Sequence, residues 1–117
     1  STADNIISAN KNDLKSALQR TAILSNEKYR GIRLIIKDSS LLLQAQNPEQ
    51  EEAEEKIAIT YQGEPIEIGF NVNYLLDALS AIDSDTVNIS LIDSNSSCLI
   101  SEPDNIENKY VVMPMRL

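Results

Sequence analysis

Apolar residues at helical spacing mark two segments of the chain. Leu14, Ala17, Leu18 and Thr21 recur at i, i+3, i+4 and i+7, with Leu24 one turn further. Val72, Leu75, Leu76 and Leu79 repeat that spacing, with Ile82 one turn further. Each position of the second set is the first plus 58. Asn10 and Asn71 stand before the two patterns as N-caps, because an Asn side-chain oxygen can accept an early backbone N–H. A short apolar run precedes each helix, Ile6-Ile7 in one half and Ile66 to Phe70 in the other. Three strand-like stretches follow each: 29–36, 41–46 and 57–62, then 86–92, 97–101 and 109–113. Ile32, Leu34 and Ile36 alternate with polar or outward residues, as do Val87, Ile89 and Leu91, the period of a strand with one buried face. Lys37-Asp38-Ser39-Ser40 and Asp93-Ser94-Asn95-Ser96 are turns. The pattern predicts an α+β fold: a duplicated β-α-β-β-β unit, about 1–62 and 63–117, with both helices packed on antiparallel sheets.

The length of 117 residues suits one domain with its own core and needs no disulfide or metal staple. With one Phe and no Trp, that core is aliphatic. Cys98 is alone, which fits a reducing compartment and a small buried hydrophobe. No apolar run approaches a membrane span, and the N-terminus lacks a signal-peptide pattern, so the expectation is a cytoplasmic protein with no membrane contact. The chain begins at Ser1, as a fragment, an excised domain or a Met-processed protein would.

A net charge of −8 opposes tight direct binding to phosphate, which needs Lys and Arg to displace counterions. The chain has no His and three Gly, with no phosphate-cradling loop. Acidic pairs such as Glu51/Glu55 are the only hint of acid–base or metal chemistry, and nothing else completes such a site. The expectation is a non-catalytic protein with no cofactor and no metal.

The C-terminus carries the strongest binding signal. Val111, Val112, Met113, Pro114, Met115 and Leu117 are apolar and close to the chain end. A last strand completing the sheet would take Val111 and Met113 into the core, but Pro114 cannot donate a ladder hydrogen bond and should end the pairing. Met115 and Leu117 then stay near the surface.

Four stretches carry a resemblance to a known family. They are Ala22-Ile23-Leu24-Ser25-Asn26-Glu27-Lys28-Tyr29-Arg30-Gly31-Ile32-Arg33-Leu34; Asn47-Pro48-Glu49-Gln50-Glu51-Glu52-Ala53-Glu54-Glu55; Glu67-Ile68-Gly69-Phe70-Asn71-Val72-Asn73-Tyr74; and Tyr110-Val111-Val112-Met113-Pro114-Met115-Arg116-Leu117. In order and over essentially the whole chain, they resemble the third, C-terminal domain of bacterial DNA sliding clamps, the beta subunit of the replicative polymerase. The resemblance implies the DNA clamp fold and a processivity role. In that family three such domains per subunit form a head-to-tail homodimeric ring that encircles duplex DNA.

The resemblance also implies three surfaces. The first is a pocket for Gln-Leu-x-Leu-Phe-like motifs of the polymerase III alpha subunit, the clamp loader delta subunit, other polymerases and repair proteins. Its residues would be Tyr29, Asn71, Tyr74, Ser97, Val111, Val112, Met113, Pro114, Met115, Arg116 and Leu117. Tyr29 stands where many relatives carry Phe, and Asn95 where some carry an apolar residue, which alters the pocket rim. The second is a dimer interface of Ile23, Leu24, Glu49, Glu51, Glu52 and Glu55, whose acidic run would meet basic residues of the neighbouring subunit. The acidic run alone reads equally as a solvated edge strand protected from aggregation. The third is a DNA-facing helix surface of Lys11, Lys15 and Arg20, of which Lys11 and Lys15 share one face. The pocket residues fit a second reading as well, a stand-alone peptide-binding module with no DNA role.

Overall fold

The computed structural model describes residues 6–23, 31–46, 52–91 and 97–115. Among them the order is β1 (Ile6–Asn10), α1 (Lys11–Ala22), β2 (Gly31–Lys37), β3 (Ser40–Gln46), β4 (Glu52–Ala58), β5 (Ile66–Asn71), α2 (Val72–Ser80), β6 (Thr86–Ser90), β7 (Cys98–Glu102) and β8 (Asn105–Val112). The same strand–helix–three-strand order therefore occurs twice. Two four-stranded antiparallel sheets form, ordered β1-β6-β7-β8 and β4-β3-β2-β5. Each sheet takes three strands from one half and the first strand of the other half.

The exchange has a matched register. Ile7 lies opposite Ile89 and Ala9 opposite Val87, while Ile68 lies opposite Leu34 and Phe70 opposite Ile32. All eight side chains are buried. Neither half can complete its sheet alone, so the two share one core. Both helices contribute their apolar stripes to it: Leu14, Ala17, Leu18 and Thr21 from α1, and Val72, Leu75, Ala78 and Leu79 from α2. The Thr21 hydroxyl is satisfied in this setting by donating to the carbonyls of Ala17 and Leu18.

The helices start where Asn predicts. Asn10 Oδ1 accepts from Asp13 N, and Asn71 Oδ1 from Asn73 N, each at 2.9 Å. These caps correct the internal offset. The helices are related by 61 residues, Asn10 to Asn71, and not by 58. The spacing of 58 matches one helical repeat to the next turn of the other, since i+3 and i+4 lie on the same face. With the shift, Leu18 corresponds to the buried Leu79, and Leu76 is only partly buried.

One strand is displaced from its expected place. A strand is expected over 57–62; the regular pairing runs over Glu52–Ala58, opposite Ser40–Gln46, and beyond it Thr60 bridges Ser8. The apolar alternation of Ile57, Ile59 and Tyr61 is real, yet Ile59 and Tyr61 enter the core after the strand has ended. The 37–40 turn joins β2 to β3 through two residues. Asp38 and Ser39 both take positive φ, 53° and 62°, as a two-residue hairpin with right-handed strand twist requires. The expected 93–96 turn lies outside the described residues.

Candidate functional site

The C-terminal segment leaves its own sheet. β8 pairs with β7 through Leu99–Val111 and Cys98–Val112, and regular pairing ends there, two residues before Pro114. The chain then crosses to the other sheet, where Met115 N donates to Gly69 O of β5 at 2.8 Å. Two residues beyond Gly69 is Asn71, the cap of α2, and Tyr74 lies in the first turn of that helix. The tail and the start of α2 are thus brought to one place.

The parity of β8 is the reverse of the expectation. Val112 faces the core, opposite Cys98, while Val111 and Met113 are 64% and 65% exposed. A register shift at Ser101/Glu102 lies upstream in the same hairpin, where a strand's facing can change by one residue. Val112 therefore supports the site from beneath. Tyr74 is 59% exposed, and Pro114 and Met115 are half-buried. Ser97 is half-buried beside Cys98 at the same end of β7. Tyr29, Asn95, Arg116 and Leu117 lie outside the described residues.

Exposed large apolar side chains are few. Among the described residues they are Tyr74, Val111, Met113 and Ile23. Tyr74 stands in the first turn of α2, Val111 near the end of β8 and Met113 just beyond it. Burying each under a peptide's Leu or Phe would contribute on the order of 1.5–3 kcal/mol. Methionines suit varied partners because the unbranched thioether adapts its shape. Gly69 was not anticipated, although a lone glycine inside an apolar strand signals close approach of another backbone.

The interface residues divide between two elements. Ile23 follows the last turn of α1 and is 83% exposed. Glu52, Glu54 and Lys56 lie on the exposed side of β4, and Glu55 on its half-buried side, which faces α1. Leu24, Glu49 and Glu51 lie outside the described residues. β4 is an edge strand, so its outer backbone groups are unpaired by the sheet.

The three basic residues of α1 are not equivalent. Lys11 Nζ donates to Ile82 O at 2.8 Å, next to the end of α2. Arg20 Nε and Nη2 both donate to Glu55 Oε1, at 2.9 and 2.8 Å, and this hydrogen bond pushes the guanidinium above its ordinary value. Lys15 is half-exposed on the face it shares with Lys11. Arg20 and Glu55, expected on different surfaces, are partners of each other. No group of three metal-ligating side chains occurs among the described residues, and no described helix is long and apolar enough to cross a membrane. Burial pushes the Cys98 thiol up to about 12, which leaves it a poor nucleophile.

Comparison with known proteins bears on the whole chain. The family described as "DNA polymerase III beta subunit, C-terminal domain" matches residues 1–116. The beta sliding clamp of Pseudomonas aeruginosa is 55% identical over 114 residues, covering 97% of this chain and 31% of the relative. That of Escherichia coli K12 is 53% identical over 104 residues, covering 89% and 28%. The crystal structure of the Pseudomonas aeruginosa clamp bound to griselimycin superposes with a TM-score of 0.92 at 55% identity, over 96% of this chain and 30% of that one. The chain thus spans about a third of the length of the relatives it matches. Two helices on two antiparallel sheets, shared with these clamps at this identity over nearly every residue, place the chain in the DNA polymerase III beta subunit family, in the part that forms its C-terminal domain.

Proposed function

We propose that the chain is the third domain of a ring-shaped sliding clamp and serves replication as a docking surface, without catalysing a reaction. The observation that carries this reading is the tail site. Val111, Met113 and Tyr74 are exposed, and the tail is anchored to the edge of β5 by Met115 N. Such a site takes a short linear motif of the Gln-Leu-x-Leu-Phe kind, with Leu and Phe against the methionines and Tyr74. Asn71 spends its side-chain oxygen on the α2 cap and keeps its Nδ2 to donate to the motif's Gln. The partners would be the polymerase III alpha subunit, the clamp loader delta subunit, and other polymerases and repair proteins.

The remaining surfaces fit a closed ring. Ile23 and the acidic β4 edge would meet the first domain of a second subunit, giving a head-to-tail homodimer. Helix α1, with Lys15 half-exposed and Lys11 on the same face, would face encircled duplex DNA. Contacts of this kind are weak and carry no sequence information, which suits movement along DNA held by topology. The acidic balance of the domain, −8, then presents no obstacle, because affinity is not what retains the DNA. A cytoplasmic location follows from that role. The family match and the threefold greater length of the relatives favour this reading over a stand-alone peptide-binding module.

The test is fluorescence polarisation of a labelled Gln-Leu-x-Leu-Phe peptide against the full-length clamp. Micromolar binding, about −8 kcal/mol, is the expected result. Removal of Met115, Arg116 and Leu117 should abolish it. Unchanged affinity after truncation would sink the pocket assignment.

A further inference from the structure

We propose that Arg20 is a positioning residue of the subunit interface and acts through Glu55, which rests on the interface reading above. Arg20 occupies the last turn of α1, three residues before the exposed Ile23. Its guanidinium reaches β4 and gives two N–H groups to one carboxylate oxygen of Glu55. The pair therefore ties together the two elements that carry the interface, the apolar end of α1 and the acidic edge strand.

The alternation of β4 explains why Glu55 and not its neighbours is held. Glu52, Glu54 and Lys56 point away from α1, and Glu55 points toward it. Glu54 accepts from Gln44, a neutral amide, and not from a cation. Glu55 is neutralised within its own chain. The acids that attract a basic partner are thus Glu52 and Glu54, while Arg20–Glu55 sets the spacing between β4 and Ile23. An exposed pair of this type contributes little to folding, since Arg20 and Glu55 are 55% and 30% exposed. Its effect should appear in assembly, where two surfaces must match at once.

The experiment measures dimer dissociation of the full-length clamp by sedimentation at several salt concentrations. Arg20→Gln and Glu55→Gln should each raise the dissociation constant about tenfold, and the double variant no more than either alone, as for a coupled pair. Arg20→Lys should recover part of the loss. Glu52→Gln should flatten the salt dependence, and Arg20→Gln, which frees the Glu55 carboxylate, should not. Thermal melts of all variants should agree within about 3 °C, the shift expected of a weak surface contact. Additive effects of the two single changes would overturn the proposal. So would a wild-type dissociation constant in Arg20→Gln together with faster loss of the clamp from circular DNA, the signature of a DNA contact. The joint change of Ile23 and Leu24 to Ala is the control. If it leaves the dimer intact, the interface reading itself fails. If it yields monomers while Arg20→Gln does not, only the role of Arg20 fails.

Discussion

Residues 59–61 and residues 113–115 each follow the last strand of their half, and each crosses to the edge of the opposite sheet. The first crossing is locked. Thr60 and Ser8 exchange two backbone hydrogen bonds at 2.9 and 3.0 Å, Ile59 N donates to Ser39 O, and Ile59 and Tyr61 are buried. Among the described residues the second has one backbone hydrogen bond of the same kind, Met115 N to Gly69 O. Pro114 stands where Ile59 does and has no N–H to donate. Met113 stands where Ala58 does and offers a long apolar side chain to solvent. Around the first crossing lies a cleft of about 310 Å³ whose lining includes Ser8, Asn10, Thr60 and Thr86, all polar. One backbone route thus serves stability in one half and, in the proposed docking site, recognition in the other. The difference lies in the side chains at these two positions, not in topology.

The contrast leads to graded expectations. The largest effect belongs to the locked crossing. Ile59→Ala should cost about 2–4 kcal/mol in urea unfolding, as for other buried large-to-small changes, and should leave peptide affinity per folded molecule unchanged. Met115→Ala should do the opposite. It should weaken binding of a Gln-Leu-x-Leu-Phe peptide about tenfold or more, matching the loss of one buried anchor, with a small stability cost. Equal stability losses from the two changes would erase the distinction. The caps come next. Asn10→Ala and Asn71→Ala should each cost about 1 kcal/mol, but only the second should reduce peptide affinity, and calorimetric titration separates the two. The smallest effects lie at the seams where the exchanged strands meet. Breaking Arg33–Glu67 on one side (3.2 Å), by Glu67→Gln, should shift stability by less than about 1 kcal/mol. A similar loss is expected from Ser8→Ala on the other side, where Ser8 Oγ donates to Asn88 Oδ1 at 2.7 Å.

Cys98 offers a check on where the opening begins. It lies opposite Val112, the last paired residue before the tail. Its thiol titrates from an ordinary 9.0 up to about 12 on burial, so the folded state favours the protonated form. The resulting stabilisation is present below pH 9.0 and is lost as pH rises toward 12. A thiol reagent at pH 8 should therefore label Cys98 no faster in Met115→Ala than in the parent, and faster in Val112→Ala. Fast labelling in the first variant would mean that tail and strand open together.

Much of this molecule is written locally. Periodicity located both helices, two asparagines marked their starts, and alternation identified the inward faces of β2 and β6, because these features depend on residues within a few positions of each other. The apolar tail beyond Pro114 was legible for the same reason: a proline without an N–H ends a ladder wherever it stands. Other features needed the folded chain. The 61-residue register could not be separated from 58, since both place the same helix face inward. The parity of β8 depended on how its hairpin pairs, and a one-residue change exchanges Val112 for its neighbours. The partner of Arg20, Glu55 of β4, lies 35 residues away and no local pattern points to it. The exchange of first strands, which makes each half's sheet depend on the other, and the crossing that sets Met115 on Gly69 are pairings between distant segments. Local patterning says that such edges exist, and only the packing of the whole chain decides which edge meets which.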